Sequence, residues 1–138
     1  MMYDEEMIAP MRQELAELGI QETRTAPEVD QVLDSKGTTL VVVNSVCGCA
    51  AAQARPGVAM AYHSTAKRPD HAITVFAGND REATAAARAR FTGYAPSSPS
   101  IALMKDGDVV FMLERYQISG RGADEIGKDI AQAINEYC

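Results

Sequence analysis

The sequence predicts an α/β domain built on a mixed sheet, and three observations lead there. Residues 38–44, Thr38-Thr39-Leu40-Val41-Val42-Val43-Asn44, form an unbroken β-branched and apolar run, the pattern of a strand buried on both faces. A second buried strand is predicted over 73–77, with an alanine-rich helical segment between the two, which makes them a βαβ unit. Asp106-Gly107 between two further apolar runs marks an antiparallel hairpin.

Each element follows in order. Residues 3–18 are helical by period, with Met7, Met11, Leu15 and Leu18 on one stripe; Pro10 starts or kinks this helix and Gly19 stops it. A short strand follows over 21–24. Thr25-Ala26-Pro27 opens a second helix, with Thr25 or Ala26 at the cap and Pro27 in the tolerated first turn, ending near Lys36-Gly37. After the strand at 38–44, Cys47-Gly48-Cys49 leads into a helix from near Ala50 to about Thr65, bent by Pro56. Gly78-Asn79-Asp80 ends the next strand, Asp80 caps a helix over 81–91, and Gly93 closes it. Ala95-Pro96-Ser97-Ser98-Pro99 is a loop. Strands over 100–105 and 109–114 form the hairpin. The last helix, 124–137, buries Ile126, Ile130, Ile134 and Tyr137. From residue 38 this order matches the thioredoxin fold: a central mixed sheet flanked by helices. One domain spans 1–138, with 1–37 as a mostly helical N-terminal extension and 38–138 as the thioredoxin-like core.

Composition narrows the function. Hydrophobic residues make up 46% of 138 positions, which argues for a packed core. Thirteen basic against nineteen acidic residues give a net charge of -6, against nucleic acid or an anionic membrane as main partner. Met1-Met2-Tyr3-Asp4-Glu5-Glu6 lacks the basic-then-apolar pattern of a secretory signal, and no apolar stretch approaches the ~20 residues of a membrane span. The expected address is cytoplasmic. Three cysteines there read as catalytic or metal-binding.

Two thiols separated by one glycine at the head of a helix suit redox chemistry. Helix-terminal N–H groups and the macrodipole favour a thiolate, the reactive form of cysteine. Cys47 is the expected nucleophile. Cys49, in the first turn, is the expected resolving thiol and the more enclosed of the pair, and Gly48 relieves crowding in so short a ring. A Cys-x-Cys ring is tighter than Cys-x-x-Cys, which predicts a couple more oxidising than thioredoxin's, about -270 mV. Given the fold, Ser98-Pro99 is expected to be cis and to offer the Ser98 backbone to a bound thiol substrate. Cys138 has two readings, a terminal thiol without a role or an additional resolving thiol. Arg55 reads as a solvated helix-face residue or as a holder of an anionic group. His63 and His71 are expected on the exposed surface. No metal site is expected, because Cys138, His63 and His71 fall at no ligand spacing from the pair. The alternative from another class is a metal or iron–sulfur carrier using Cys47, Cys49 and Cys138.

Asn44-Ser45-Val46-Cys47-Gly48-Cys49-Ala50-Ala51, Ala54-Arg55-Pro56, Val75-Phe76-Ala77-Gly78, Phe91-Thr92-Gly93 and Pro96-Ser97-Ser98-Pro99-Ser100 together resemble the bacilliredoxin family. The likeness extends over nearly the whole chain, including Pro10-Met11-Arg12 and Cys138. The resemblance implies a thioredoxin-like fold, no bound cofactor, and bacillithiol as co-substrate. It implies that Cys47 attacks the mixed disulfide of a client protein with bacillithiol, and that Cys49 or a second bacillithiol resolves the adduct. Weak disulfide isomerase activity and a separate NADPH-dependent flavin reductase would accompany that role.

Overall fold

The computed structural model describes residues 2–46 and 48–138. Its sheet is organised around β2 (Thr38–Asn44), all seven of whose residues are buried. On one side β2 pairs in parallel with β3 (His71–Phe76), Val41 opposite Ile73. On the other it pairs antiparallel with β4 (Ser100–Lys105), Val41 opposite Ala102. β1 (Gln21–Glu22) extends the β3 edge and β5 (Asp108–Leu113) the β4 edge, giving the order β1-β3-β2-β4-β5 among the described residues. Both parallel pairs and both antiparallel pairs are present, so the sheet is mixed as expected.

Alternation along the strands divides the core in two. Leu40 and Val42 of β2, with Ile101, Leu103 and Leu113, face α3 (Gly48–Ser64) and α6 (Ala123–Tyr137). Val41 and Val43, with Ile73, Val75, Ala102 and Met104, face α2 (Ala26–Leu33) and α4 (Arg81–Arg88). A β-branched strand that presents apolar side chains to both layers explains why the 38–44 run carries no polar alternation.

The long pair α3 and α6 packs closest at glycine. A Cβ on Gly57 would lie 2.7 Å from Cγ2 of Ile126, and one on Gly127 would lie 3.0 Å from the Gly57 carbonyl oxygen. Ala50, Ala54 and Ala61 of α3, all buried, share one core cluster with the α6 isoleucines.

The segment expected as an N-terminal extension, 1–37, is not all outside the core: β1 joins the sheet and α2 buries Val29 and Leu33 against it. That leaves the first helix as the added element, and its packing differs from the expected one. α1 (Glu5–Ala16) runs through Pro10 and buries Ile8, Arg12 and Leu15. Met7 is half exposed, and Met11 and Leu18 are only partly covered. The buried stripe is therefore turned from the one expected through Met7, Met11, Leu15 and Leu18. The reason is polar: Arg12 turns inward to a carboxylate of the core. A helical turn, α5 (Arg115–Ile118), went unpredicted, although Glu114 and Gln117 supply its capping box, the Glu114 N–H donating to Gln117 Oε1 at 2.9 Å.

Gly57→Ala should destabilise the protein by roughly 1–3 kcal/mol, the usual cost of overpacking. Urea denaturation should show it, and combining it with Ile126→Ala, which removes the Cγ2 that the new methyl meets, should cost less than the sum of the two single changes.

Candidate active site

The end of β2 is held by one side chain. Asn44 is 2% exposed, and its amide works in both directions. Nδ2 donates to the Met11 carbonyl of α1 at 3.0 Å. Oδ1 accepts from the Ser45 N–H at 2.9 Å and from Arg55 Nη1 at 3.1 Å. The Asn44 carbonyl accepts from the Ala77 N–H at 3.0 Å, beyond the end of β3. Three elements thus converge where the strand gives way to the cysteine motif.

Arg55 completes the junction. It reaches back from the second turn of α3, donating Nη1 to the Ser45 carbonyl at 2.8 Å and Nε to Glu14 Oε2 at 3.0 Å. It is 8% exposed. The solvated-helix reading of Arg55 is corrected: its Nε and Nη1 are engaged inside the protein, and the anionic group it holds is Glu14. A buried guanidinium needs a counter-charge and several acceptors, and α1 brings the counter-charge as Glu14. Nothing in local spacing could have shown this, because Glu14 is 41 residues away.

A second arginine ties α1 to the loop after β3. Arg12 donates Nη1 and Nη2 to the two carboxylate oxygens of Asp80 at 2.8 and 3.0 Å, and Nε to Glu5 at 3.1 Å. It also lies 5.1 Å from the Phe76 ring centroid. Burial works against the Arg12 charge, but the hydrogen bonds with Asp80 and Glu5 outweigh it and hold the guanidinium more firmly protonated than usual. Asp80 does occupy the N-cap position of α4, yet its side chain makes no cap hydrogen bond. It serves Arg12 and the Phe76 N–H instead.

Of the motif, Cys47 lies outside the described residues. Gly48 opens α3 with φ of +55°, a left-handed conformation that glycine adopts without penalty. Its N–H donates to the Val46 carbonyl at 2.7 Å. Cys49 is a free, exposed thiol; its expected enclosure relative to Cys47 falls outside the described residues. The helical period gives the inward positions of this turn to Ala50 and Ala51, leaving Cys49 facing solvent.

The proline loop arrives beside this junction. Ser100 pairs with Val43, so Pro99 stands level with the end of β2. The Ser98–Pro99 peptide is cis; Pro99 is buried and Ser98 partly so. The Ser98 carbonyl, expected to meet a substrate, already accepts from Arg115 Nη1 at 3.0 Å, which leaves one lone pair. Arg88 Nη2 donates to the preceding Ser97 carbonyl at 3.3 Å. Arg115 and Arg88 as braces of the loop were not visible in the sequence.

Cys138 is placed elsewhere. Its neighbour Tyr137 accepts from Lys105 Nζ at 3.4 Å, and Lys105 pairs with Thr38 at the start of β2. Cys138 also lies close enough to Tyr62, late in α3, to add to the upward push on that phenol, which burial drives to about 12. The sheet's full strand length, roughly 20 Å at about 3.3 Å per residue, separates Cys138 from the motif end. The structure does not bring Cys138 to Cys49, as an additional resolving thiol or a shared metal ligand would require. His63 and His71 are both exposed.

The sheet order, the cysteine pair at the strand–helix junction and the cis-proline loop define a thioredoxin-fold thiol–disulfide oxidoreductase. The fold is shared with the oxidised thioredoxin of Plasmodium falciparum (TM-score 0.58, 17% identity, covering 86% of this chain and 97% of that one). It is shared also with a thioredoxin of Malassezia sympodialis (TM-score 0.59, 14% identity, covering 86% and 90%). The disulphide isomerase family model matches residues 3–138. A bacilliredoxin of Koribacter versatilis is 53% identical over 99% of this chain and 94% of its own length; one of Bacillus licheniformis is 52% identical over 99% and 95%. The chain belongs to the bacilliredoxin family.

Arg55→Ala should cost about 3–5 kcal/mol, the usual penalty for breaking a buried charge network, because it strips Asn44, Ser45 and Glu14 of their shared donor. Glu14→Gln, which keeps an acceptor beside a partly exposed position, should cost well under half as much. Chemical denaturation of the two variants checks the ordering.

Proposed function

We propose that the protein removes bacillithiol from mixed disulfides on client proteins. The Cys47 thiolate attacks the bacillithiol sulfur; a Cys47–bacillithiol disulfide forms, and the client sulfur leaves as a thiolate and takes up a proton. The Cys49 thiolate then attacks Cys47, releasing bacillithiol and leaving a Cys47–Cys49 disulfide. A second bacillithiol can instead attack the adduct, giving oxidised bacillithiol and free Cys47. Either route leaves two electrons to be returned from outside, by bacillithiol and a separate NADPH-dependent flavin reductase. No cofactor need be bound. The same exchange supports weak disulfide isomerase activity, and a cytoplasmic setting suits its reducing partners.

The observation that supports this reading most is the sequence Cys47-Gly48-Cys49 running into α3 next to the Ser98–Pro99 loop. The first-turn N–H groups of a helix have no intrahelical acceptors and favour an anionic sulfur. The exposure of Cys49 suits a thiol that must attack an adduct whose small-thiol half leaves into solvent. Family membership supplies the small thiol.

Single-turnover reduction of a bacillithiolated client tests the roles. Cys47→Ser should abolish release of the client thiol. Cys49→Ser should accumulate one bacillithiol per chain, visible by mass spectrometry. Cys138→Ser should resolve the adduct at the wild-type rate, as its distance from the motif end requires. A wild-type rate for Cys47→Ser would remove the assignment.

A further inference from the structure

Along α4 and the loop that follows it lies a groove the redox roles do not use. It has a volume of about 560 Å³ and is lined by Gly78, Arg81, Thr84, Arg88, Tyr94 and Pro96, with Ala85 of α4 and Ala89 at its C-terminal cap. Gly78 follows β3, and Pro96 lies three residues before the cis Pro99, so the groove runs along α4 from the end of β3 to the loop that leads into Pro99. Its size is that of a small-molecule site.

Its chemistry is that of an anion site. The chain carries a net charge of -6, yet the groove lining contains two arginines and no carboxylate. Among the described residues neither Arg81 nor Arg88 forms an ion pair, unlike Arg12, Arg24, Arg55, Arg90 and Arg121. Arg81 is exposed and makes no hydrogen bond within the described residues. Arg88 is partly buried, and its Nε has no hydrogen-bond partner there. The Thr84 hydroxyl, on a side chain 4% exposed, also has none. Burial lowers the Arg88 pKa from its ordinary value, the mark of a charge still short of a counter-charge. Tyr94, 41% exposed, adds an aromatic wall on which a ring can pack. Arg88 also braces the proline loop through Ser97, so a ligand held there sits against the substrate-facing loop.

The geometry points to this groove as the seat of the carboxylate-bearing end of the small thiol, with Arg81 and Arg88 pairing its carboxylates while its sulfur lies toward the motif. The inference rests on the proposed function. It adds a specificity element that recognises the small thiol by its charge, separately from the sulfur chemistry.

Two measurements test it. The first uses one client protein carrying either bacillithiol, whose malate group is anionic, or 2-mercaptoethanol, which is neutral. The ratio of kcat/KM on the two adducts should fall about tenfold in Arg81→Gln/Arg88→Gln, the loss expected for charge-assisted hydrogen bonds, mostly through KM on the bacillithiol adduct. Arg81→Gln alone, at an exposed position without contacts, should give a smaller fall in the same direction. Arg68→Gln, which removes the same charge as Arg81→Gln at a site beyond the C-terminal end of α3, should leave the ratio unaltered. Equal losses on both adducts would assign the arginines to client docking or loop structure and overturn the inference, as would an unchanged ratio. The second is a titration with S-methyl bacillithiol, which cannot react, followed by amide chemical shifts. Saturable shifts over 78–96 that vanish in the double variant are expected, and their absence overturns the site. If wild type turns over neither adduct, the proposed function falls while the titration still decides the groove.

Discussion

Asn44 is the point on which the site depends. β2 is apolar on both faces until its last residue, where the chain must leave the sheet and start a helix within a few positions. Backbone groups at such an exit lose their ladder partners and need replacements. Asn44 supplies them by offering a donor to α1 and an acceptor to both Ser45 and Arg55. The motif that follows is therefore approached from a strand end fixed on three sides, not from a free loop. Orientation of a nucleophile is worth most when the backbone before it cannot drift.

Charge completes what the amide begins. Arg55 is held between a backbone carbonyl, an amide oxygen and Glu14, and Arg12 between Asp80 and Glu5. Each pair spans two elements distant in sequence. Charges removed from water are tolerated only with such partners, and they fix register more than they add stability. By contrast, the arginines of the α4 groove carry no carboxylate partner. The same physical rule that makes Arg12 and Arg55 structural makes Arg81 and Arg88 candidates for binding.

Most of the fold was legible because its signals are local. The 38–44 run, the Asp106-Gly107 turn and the Ile126-Ile130-Ile134 stripe each follow from period and turn chemistry, and β2, β4 and α6 agree with them closely. The cis Ser98–Pro99 bond followed from the fold as a whole. What was not legible is the set of long-range polar contacts. Arg55 looked exposed because its neighbours on α3 say nothing of Glu14, and the Met7 stripe looked buried because nothing nearby announces the Arg12–Asp80 pair. Cys138 looked able to return to the motif, since sequence gives no hint of which end of the sheet the last helix reaches.

The N-terminal helix has a consequence for any attempt to pare the chain down to the sheet and the helices on its two faces. Cutting away α1 and the residues before it would take Glu14 from Arg55, Arg12 from Asp80, the Met11 carbonyl from Asn44 and Tyr3 from Asn79. A shortened protein would keep every strand that flanks the cysteines and still bring stranded ions and unanswered amides to its interior. The minimal working unit of this enzyme is thus larger than the sheet and helices that hold its chemistry.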